Sequence, residues 1–394
     1  MTGLSRRGLL AAAALPLLPA APASGWAATL RARTAALGGA GLLASYDVVG
    51  LSDFDRTQFQ CAYVYDNAVA GLALLACGDL AGARSIGAAL LRAQETDRVW
   101  RDGRLRNAYR AGPAPASGAY PLPGWWDGAA ARWTEDGYQV GTATGNVAWA
   151  MLLWIGLAAN HEAGRGTWLA AASRAADWME TVRGPRGYQG GFLGFEPAPQ
   201  RLTWVSTEHN IDLWAAFTAL GRTEPADHAR RLVTDMWLPG PARFATGLRP
   251  DGSLNDHSAL DANLWPLLAA GARPEWREAL HWVLARHGLP PNGPVDGVDF
   301  NDDRDGIWLE GTAIAALTAR RLGQEAVAGR LLATLRAQTA AGGFIYASTT
   351  PTLTTGLSTG LDTSAPDFLY YRRPHLAPTA WAVLAELGIN PFPA

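Results

Sequence analysis

Apolar residues gather in six dense runs, and each run is entered through a short polar patch. "TWVSTEHNIDLWAAFTALG" (Thr203–Gly221) presents Ser206, Thr207, Glu208, His209 and Asn210 before its apolar part and stops at a glycine. "YVYDNAVAGLALLACG" enters through Asp66 and Asn67, and "TGNVAWAMLLWIGLA" through Asn146. "LDANLWPLLAAGA" enters through Asp261, "WLEGTAIAALTARRLG" through Glu310 and "LAPTAWAVLAELG" through Thr379. The apolar positions recur with helical spacing, and a terminal glycine is a frequent helix stop. Six helices buried on most sides are predicted.

Helices of a second kind lie between them. "DLAGARSIGAALLRAQ", "TWLAAASRAADWMETVR", "EPADHARRLVTDMW", "PEWREALHWVLARHG" and "QEAVAGRLLATLRAQ" each set Arg, Glu or Asp on one face and Leu, Ala or Val on the other. That pattern predicts amphipathic surface helices. "TLRARTAALGGAGLLASY" near residue 30 supplies a sixth. Six all-round apolar helices inside six amphipathic ones make an all-α (α/α)6 toroid, because helix-on-helix layering is what remains for a chain with few strand-like alternations. An α-solenoid of helical pairs is the competing arrangement. A solenoid calls for an even repeat, whereas Asp66 and Asn146 stand much farther apart than Asp261 and Glu310. The excess lies in Trp- and Gly-rich loops, the usual carriers of function.

Composition narrows the function classes. The 394 residues are 48% hydrophobic and 17% charged, enough for a large core. The net charge of −2 gives no electrostatic case for a nucleic-acid partner. All 33 basic residues are arginine, which excludes Schiff-base chemistry and a Walker-type phosphate loop. The first 25 residues, with Arg6–Arg7 before a short Pro-broken apolar run, resemble a twin-arginine export signal. An uncleaved anchor is the alternative, although the run is short for a membrane span. Residues 26–394 are then one domain of an exported, periplasmic or extracellular monomer, with no stable membrane span once the signal is removed. Cys61 and Cys77 fall in one predicted helix, cannot bridge each other there, and read as buried thiols.

If the inner helices run parallel, their first turns line one funnel where Asp66, Asn146, Glu208, Asp261, Glu310 and Thr379 meet. Each could instead be a cap or a dipole partner of its own helix. Glu208 and Glu310 are harder to explain that way, since each follows a Trp-containing segment ("TWVSTE", "GIWLE").

Alternating inner and outer helices with rim carboxylates, and the segments "YDNAVA", "WLEGTA" and "APTAWAVLAELGINPF", resemble the six-hairpin glycosidase superfamily over nearly the whole mature chain. The resemblance implies a glycoside hydrolase acting on a poly- or oligosaccharide by paired-carboxylate general acid/base catalysis. Such hydrolysis needs one carboxyl to protonate the leaving oxygen and another to activate water or attack the sugar. Glu310, behind Ile307, Trp308 and Leu309, is the expected acid. Glu208, among Ser, Thr, His and Asn, is the expected base, and Asp66 is able to exchange roles with it. Related toroids also house lyases, epimerases and terpenoid cyclases; "VDFNDDRDG" lacks the acidic motif of the cyclases.

The remaining candidates bind substrate. "VWRDGRLRNAYR" offers Arg104, Arg106, Asn107 and Tyr109, and "PGWWDG" offers Trp125 and Trp126. His209, Asn146, Asp261 and Trp308 complete the set. Arg forks and amides suit sugar hydroxyls or carboxylates. Aromatic loops also serve as plugs on the core. No cofactor is expected. Asn301, Asp303, Asp305 and Gly306 match the first half of a calcium loop, but Thr312 stands where the closing Glu belongs. A solvated acidic loop leading to Glu310 is the simpler reading, and the histidines lack zinc spacing. Two other functions remain open: a polysaccharide lyase using His209 or a Tyr as base with Arg104, Arg106 and Arg110, and a non-catalytic glycan-binding protein.

Overall fold

The computed structural model describes residues 25–50, 52–360, 364 and 368–393; the candidate export segment lies outside the described residues. The helices are α1 (Gly25–Ala35), α2 (Asp53–Gln58), α3 (Val64–Ala76), α4 (Leu80–Thr96), α5 (Thr144–Asn160), α6 (Arg165–Met179) and α7 (Thr207–Ala219). They continue with α8 (Thr223–Asp235), α9 (Leu260–Leu268), α10 (Glu278–Arg286), α11 (Leu309–Arg321), α12 (Glu325–Ala337) and α13 (Leu376–Leu387). Helices α3, α5, α7, α9, α11 and α13 pack each on the next, and α13 packs back on α3. That last contact closes the ring and rules out a solenoid, whose ends stay apart. Helices α4, α6, α8, α10 and α12 cover the ring, and α1 packs on α13, α3 and α4 as the sixth outer member. The architecture is an (α/α)6 toroid.

Burial follows the two sequence patterns. Almost every residue of α5 is buried, whereas α8 buries one stripe, Ala226, His228, Ala229, Leu232 and Val233. Close approach matters within the ring: a Cβ on Gly71 of α3 would lie 2.7 Å from the Leu153 methyls of α5.

Three expectations need correction. The first outer helix ends at Ala35, well before Tyr46, because the chain turns at Gly38 with φ +69° and then pairs Gly41–Leu42 with Gly112–Pro113. Helix α2 was not foreseen; Ser52 caps it by accepting from the Asp55 N–H. Cys61 lies on a strand, Cys61–Tyr63, and Cys77 ends α3, so the two do not share a helix; both are free thiols, Cys61 buried and Cys77 half-buried.

The loops at the N-terminal end of the inner helices form short strand pairs, and these hold the first turns. The first N–H of every inner helix donates to a rim carbonyl: Val64 to Asn107, Thr144 to Gly190, Thr207 to Thr246, Leu260 to Phe300, Leu309 to Ala347 and Leu376 to Ser45. The fourth residue then clamps the loop on the other side. Asn67 Oδ1 accepts from Leu43 N, Asn210 from Tyr188 N and Asn263 from Phe244 N, each at 2.8 Å. Thr312 and Thr379 hydroxyls accept from Val298 N (3.1 Å) and Ile345 N (2.9 Å). In α5 the fourth residue is Val147, and Asn107, just before the strand Ala108–Arg110, takes over by accepting from Ala143 N at 2.6 Å. The first set of bonds satisfies one helix-end donor in each inner helix, and the clamps satisfy loop N–H groups. The N-cap residues are Tyr63, Ala143, Ser206, Ala259, Trp308 and His375, and of these only Ser206 caps with its side chain. Asp66, Asn146, Asp261 and Glu310 are therefore not caps.

Candidate active site

The girdle turns the second residue of each inner helix toward the toroid axis. Those residues are Tyr65, Gly145, Glu208, Asp261, Glu310 and Ala377. All but Ala377 line a cavity of about 360 Å³. Tyr138, Trp204, Phe300, Phe368 and Tyr370 from the loops form aromatic walls, and Trp149 reaches it from below. Trp149, Trp265 and Trp381 each occupy the sixth position of alternate inner helices, and their rings pack at centroid distances of 5.2, 5.6 and 6.0 Å. This tryptophan layer fills the toroid centre beneath the carboxyls.

Glu310 is buried, and the Tyr65 hydroxyl donates a short hydrogen bond to its Oε1. The Trp381 indole N–H donates to the Tyr65 oxygen at 2.8 Å, fixing that hydroxyl's direction. Burial pushes the Glu310 carboxyl well above its usual range, the charges of Asp66 and Asp261 add to this, and the Tyr65 hydroxyl opposes it.

Glu208 differs. Ser206 is occupied as the cap, His209 Nδ1 pairs with Thr144 Oγ1 at 2.8 Å, and Asn210 clamps Tyr188. None of the polar neighbours serves Glu208, which takes no hydrogen bond from a described residue. Burial and the charges of Asp261, Asp212 and Glu310 raise its carboxyl well above the ordinary value. The expected ionising environment is thus absent at Glu208, and the group that stabilises a carboxylate sits at Glu310 instead. Asp261, on the helix between them, is pushed by burial up to about 7, against a hydrogen bond from Ala262 N. Asp212, one turn beyond Glu208, is fully buried; burial and the Asp261 charge raise its carboxyl, and the Trp149 indole opposes them.

Other candidates divide clearly. Asn107, Asn146, His209 and Trp308 line the same cavity. His209 is held neutral, its pKa lowered by burial to about 4. Gly145 makes room for its ring, since a Cβ there would lie 2.5 Å from His209 Cδ2. Asp66 does not line the cavity. It is buried behind it, 3.0 Å from His375 Nε2, and His375 stacks on Tyr46 at 4.0 Å.

Arg104, Arg106 and Tyr109 also lie elsewhere, because their loop folds onto its own carboxylates. Arg106 is buried between Asp97 (2.6 Å) and Glu196 (3.0 Å). Arg104 pairs with Asp102 at 2.6 Å and lies over Trp100. Tyr109 is core, its hydroxyl accepting from Arg106 N. Trp125 and Trp126 line a separate cleft.

The acidic loop is less solvated than expected: Asp299 and Asn301 are buried. Asp299, Asp303 and Asp305 bring carboxylate oxygens within 4.8 Å of one another, and Thr354 donates through its hydroxyl to Asp303 and through its N–H to Asp305. Burial, together with the Asp303 and Asp305 charges, pushes Asp299 up to about 8. Oxygens of this kind suit a hard cation, but Asn301 turns its oxygen to the Asp303 N–H.

Neither sequence-family models nor curated proteins give a match to this chain. Solved structures do. A glycosidase matches over 94% of this chain and 99% of its own, with a TM-score of 0.62 and 14% identity. The GH63 mannosylglycerate hydrolase from Thermus thermophilus, in complex with glucose, matches over 94% and 99% with a TM-score of 0.55 and 16% identity. This protein shares the (α/α)6 toroid fold of these glycosidases. An alpha-amylase from Clostridium perfringens shares it, covering 94% of this chain and 99% of its own at a TM-score of 0.59 and 9% identity. Within this toroid, Tyr65 lines the cavity and its neighbour Asp66, the residue expected there from the sequence, does not. Aligning the inner helices on their clamping Asn or Thr places Tyr65 level with Glu208, Asp261 and Glu310.

Proposed function

We propose that the protein is a glycoside hydrolase in which Glu208 is the general acid and Glu310 the base or nucleophile. The observation that carries this is the contrast between the two carboxyls in one aromatic-walled cavity. Both are raised by burial and by like charge, and Glu310 alone receives a hydroxyl hydrogen bond. A donated hydrogen bond favours the ionised form, whereas a half-buried carboxyl beside like charges and without such a bond favours the protonated one. Glu208 then gives its proton to the glycosidic oxygen as the C–O bond breaks. The Glu310 carboxylate either takes a proton from the attacking water or attacks the anomeric carbon itself. Asp261 keeps the pair's pKa values high while ionised. The tryptophan layer closes the cavity below, so substrate enters from the loop side. Trp204, Phe300 and Tyr370 offer flat faces to sugar rings.

A lyase would need cationic groups beside its base to neutralise a uronate. Arg104 and Arg106 are engaged in ion pairs away from the cavity, and Arg249 is the arginine among its lining residues. The hydrolytic reading therefore has the stronger support. We also propose export through the twin-arginine-type leader, to be checked by sequencing the mature N-terminus from cell fractions.

The test assays the mature protein on a polysaccharide and oligosaccharide panel, reading reducing ends and the ultraviolet signal of unsaturated products together. Reducing ends without the ultraviolet signal are expected, with losses of about 10²–10⁴-fold in Glu208→Gln and Glu310→Gln. An ultraviolet signal would replace the hydrolase by a lyase. Binding without turnover, unchanged in both variants, would leave a glycan-binding protein.

A further inference from the structure

Outside the catalytic-type cavity, one cleft carries the features of a second binding site. Its volume is about 610 Å³, and Phe59, Gln60, Arg110, Trp125, Trp126 and Trp133 are among its lining residues. Among the described residues few large hydrophobics are exposed, and four of them, Val49, Phe59, Trp126 and Trp133, meet here. Trp126 is 62% exposed and Trp133 51%. Contiguous exposed apolar surface of this kind marks a binding surface.

The cleft is built rather than incidental. Trp126 and Trp133 are directly opposed across the hairpin Trp125–Asp127/Arg132–Thr134. The Trp133 indole lies over Gly124, where a Cβ would come within 2.6 Å of its Nε1. Gln60 holds a left-handed backbone (φ +55°), a conformation non-glycine residues keep at a cost and one that clusters at ligand sites. Its side-chain oxygen accepts from Arg110 Nε at 3.0 Å. That bond orients the guanidinium and leaves its two terminal nitrogens for a ligand. Arg110 pairs with no carboxylate among the described residues, whereas nearby Asp55 and Arg56 are paired with Arg373 and Asp53.

Aromatic faces beside a planar guanidinium and an amide suit a sugar chain: rings stack, and the polar groups meet hydroxyls. The position supports the same ligand. Asn107 lines the cavity, and Arg110, three residues further on at the end of the strand Ala108–Arg110, lines the cleft. At about 3.3 Å per residue, the backbone positions of these two lining residues lie within roughly 10 Å of each other. We propose that this cleft is an auxiliary glycan-binding site, holding a distal part of the polymer whose end enters the cavity. The inference rests on the reading that the cavity acts on a glycan.

The experiment is native affinity electrophoresis of the mature protein in gels containing soluble starch, yeast mannan or polygalacturonate. It compares wild type, Trp126→Ala/Trp133→Ala and Glu208→Gln. Both hairpin substitutions fall on exposed side chains, and melting curves verify the fold. At least one polymer should retard the wild type and Glu208→Gln alike, with the dissociation constant about tenfold weaker in the double variant. Equal retardation of the double variant overturns the proposal. So does the absence of retardation by all three polymers, or retardation lost in Glu208→Gln and kept in the double variant. Retardation is read without turnover, so it stands or fails separately from the hydrolase assignment. Loss of both hydrolysis and retardation on every polymer would remove the glycan reading itself.

Discussion

Tyr65→Phe separates the roles of the two glutamates. The substitution keeps the ring and removes the hydroxyl that donates to Glu310 and accepts from Trp381. A hydrogen bond to a charged group contributes about 1.5–3 kcal/mol. At 1.36 kcal/mol per pKa unit this corresponds to a rise of about 1–2 units in Glu310. The sign follows from the structure: the hydroxyl lowers the Glu310 pKa, so its loss raises it. If Glu310 must be ionised to act, the acidic limb of the kcat/KM profile moves to higher pH by that amount while the alkaline limb stays. The assay is a pH series on any turned-over glycan from about pH 4 to 9, fitted as macroscopic values, since the clustered carboxyls titrate together. Movement of the alkaline limb instead would exchange the acid and base. An unmoved profile would refute the reasoning, because the bond would then have no hold on a catalytic group. The same change strands the buried Trp381 N–H, at a cost of about 1–3 kcal/mol, so the melting temperature falls by a few degrees.

Asp261→Asn removes a charge that raises both glutamates, and its effect is read at Glu208. Above pH about 7, where Asp261 is ionised, its charge helps Glu208 retain a proton; the amide removes that charge, and the alkaline limb should drop by about one unit. Asp261 itself has its folded pKa raised, so its contribution to stability is complete below its unfolded pKa and lost as pH rises through 7. Melting of Asp261→Asn relative to wild type should therefore improve from pH 5 to pH 8; an unchanged difference would contradict the burial effect. Arg106→Ala leaves Asp97 buried without its guanidinium, and chemical denaturation should register a loss of about 3–5 kcal/mol, far beyond a surface pair. Burial pushes Glu196 up, but bonds from Arg98 and Arg106 outweigh it and hold it at about 2, so wild-type stability should erode as pH falls from about 4.5 toward 2, and less so in Arg106→Ala. Asn210→Ala unpairs the buried Tyr188 N–H and Ser206 carbonyl; a destabilisation below about 1 kcal/mol would mean the clamp is not a structural element.

Much of this protein was legible along the chain. Two helix classes with different apolar stripes, each inner run opening on polar residues, are local patterns, and burial enforces them residue by residue; hence α3 through α13 begin within a few residues of the expected starts. Glu208, Asp261, Glu310, Asn146 and His209 share one cavity for the same reason, since helix phase sets which first-turn residues face the axis. The pairing of side chains across distant segments was not legible. Tyr65 meets Glu310 only because α13 closes the ring and brings α3 near α11. Arg104 and Arg106, sugar-binding groups by type, were claimed first by Asp102, Asp97 and Glu196, since an arginine beside a folded-back carboxylate is already satisfied. The polar run around Glu208 looked like a solvating environment, yet its members spend their hydrogen bonds on the cap, Thr144 and the rim strand. Sequence determined which residues lie at the centre of the toroid. Tertiary closure decided which carboxyl takes a hydroxyl hydrogen bond there and which does not, because a pKa depends on neighbours that helical periodicity cannot supply.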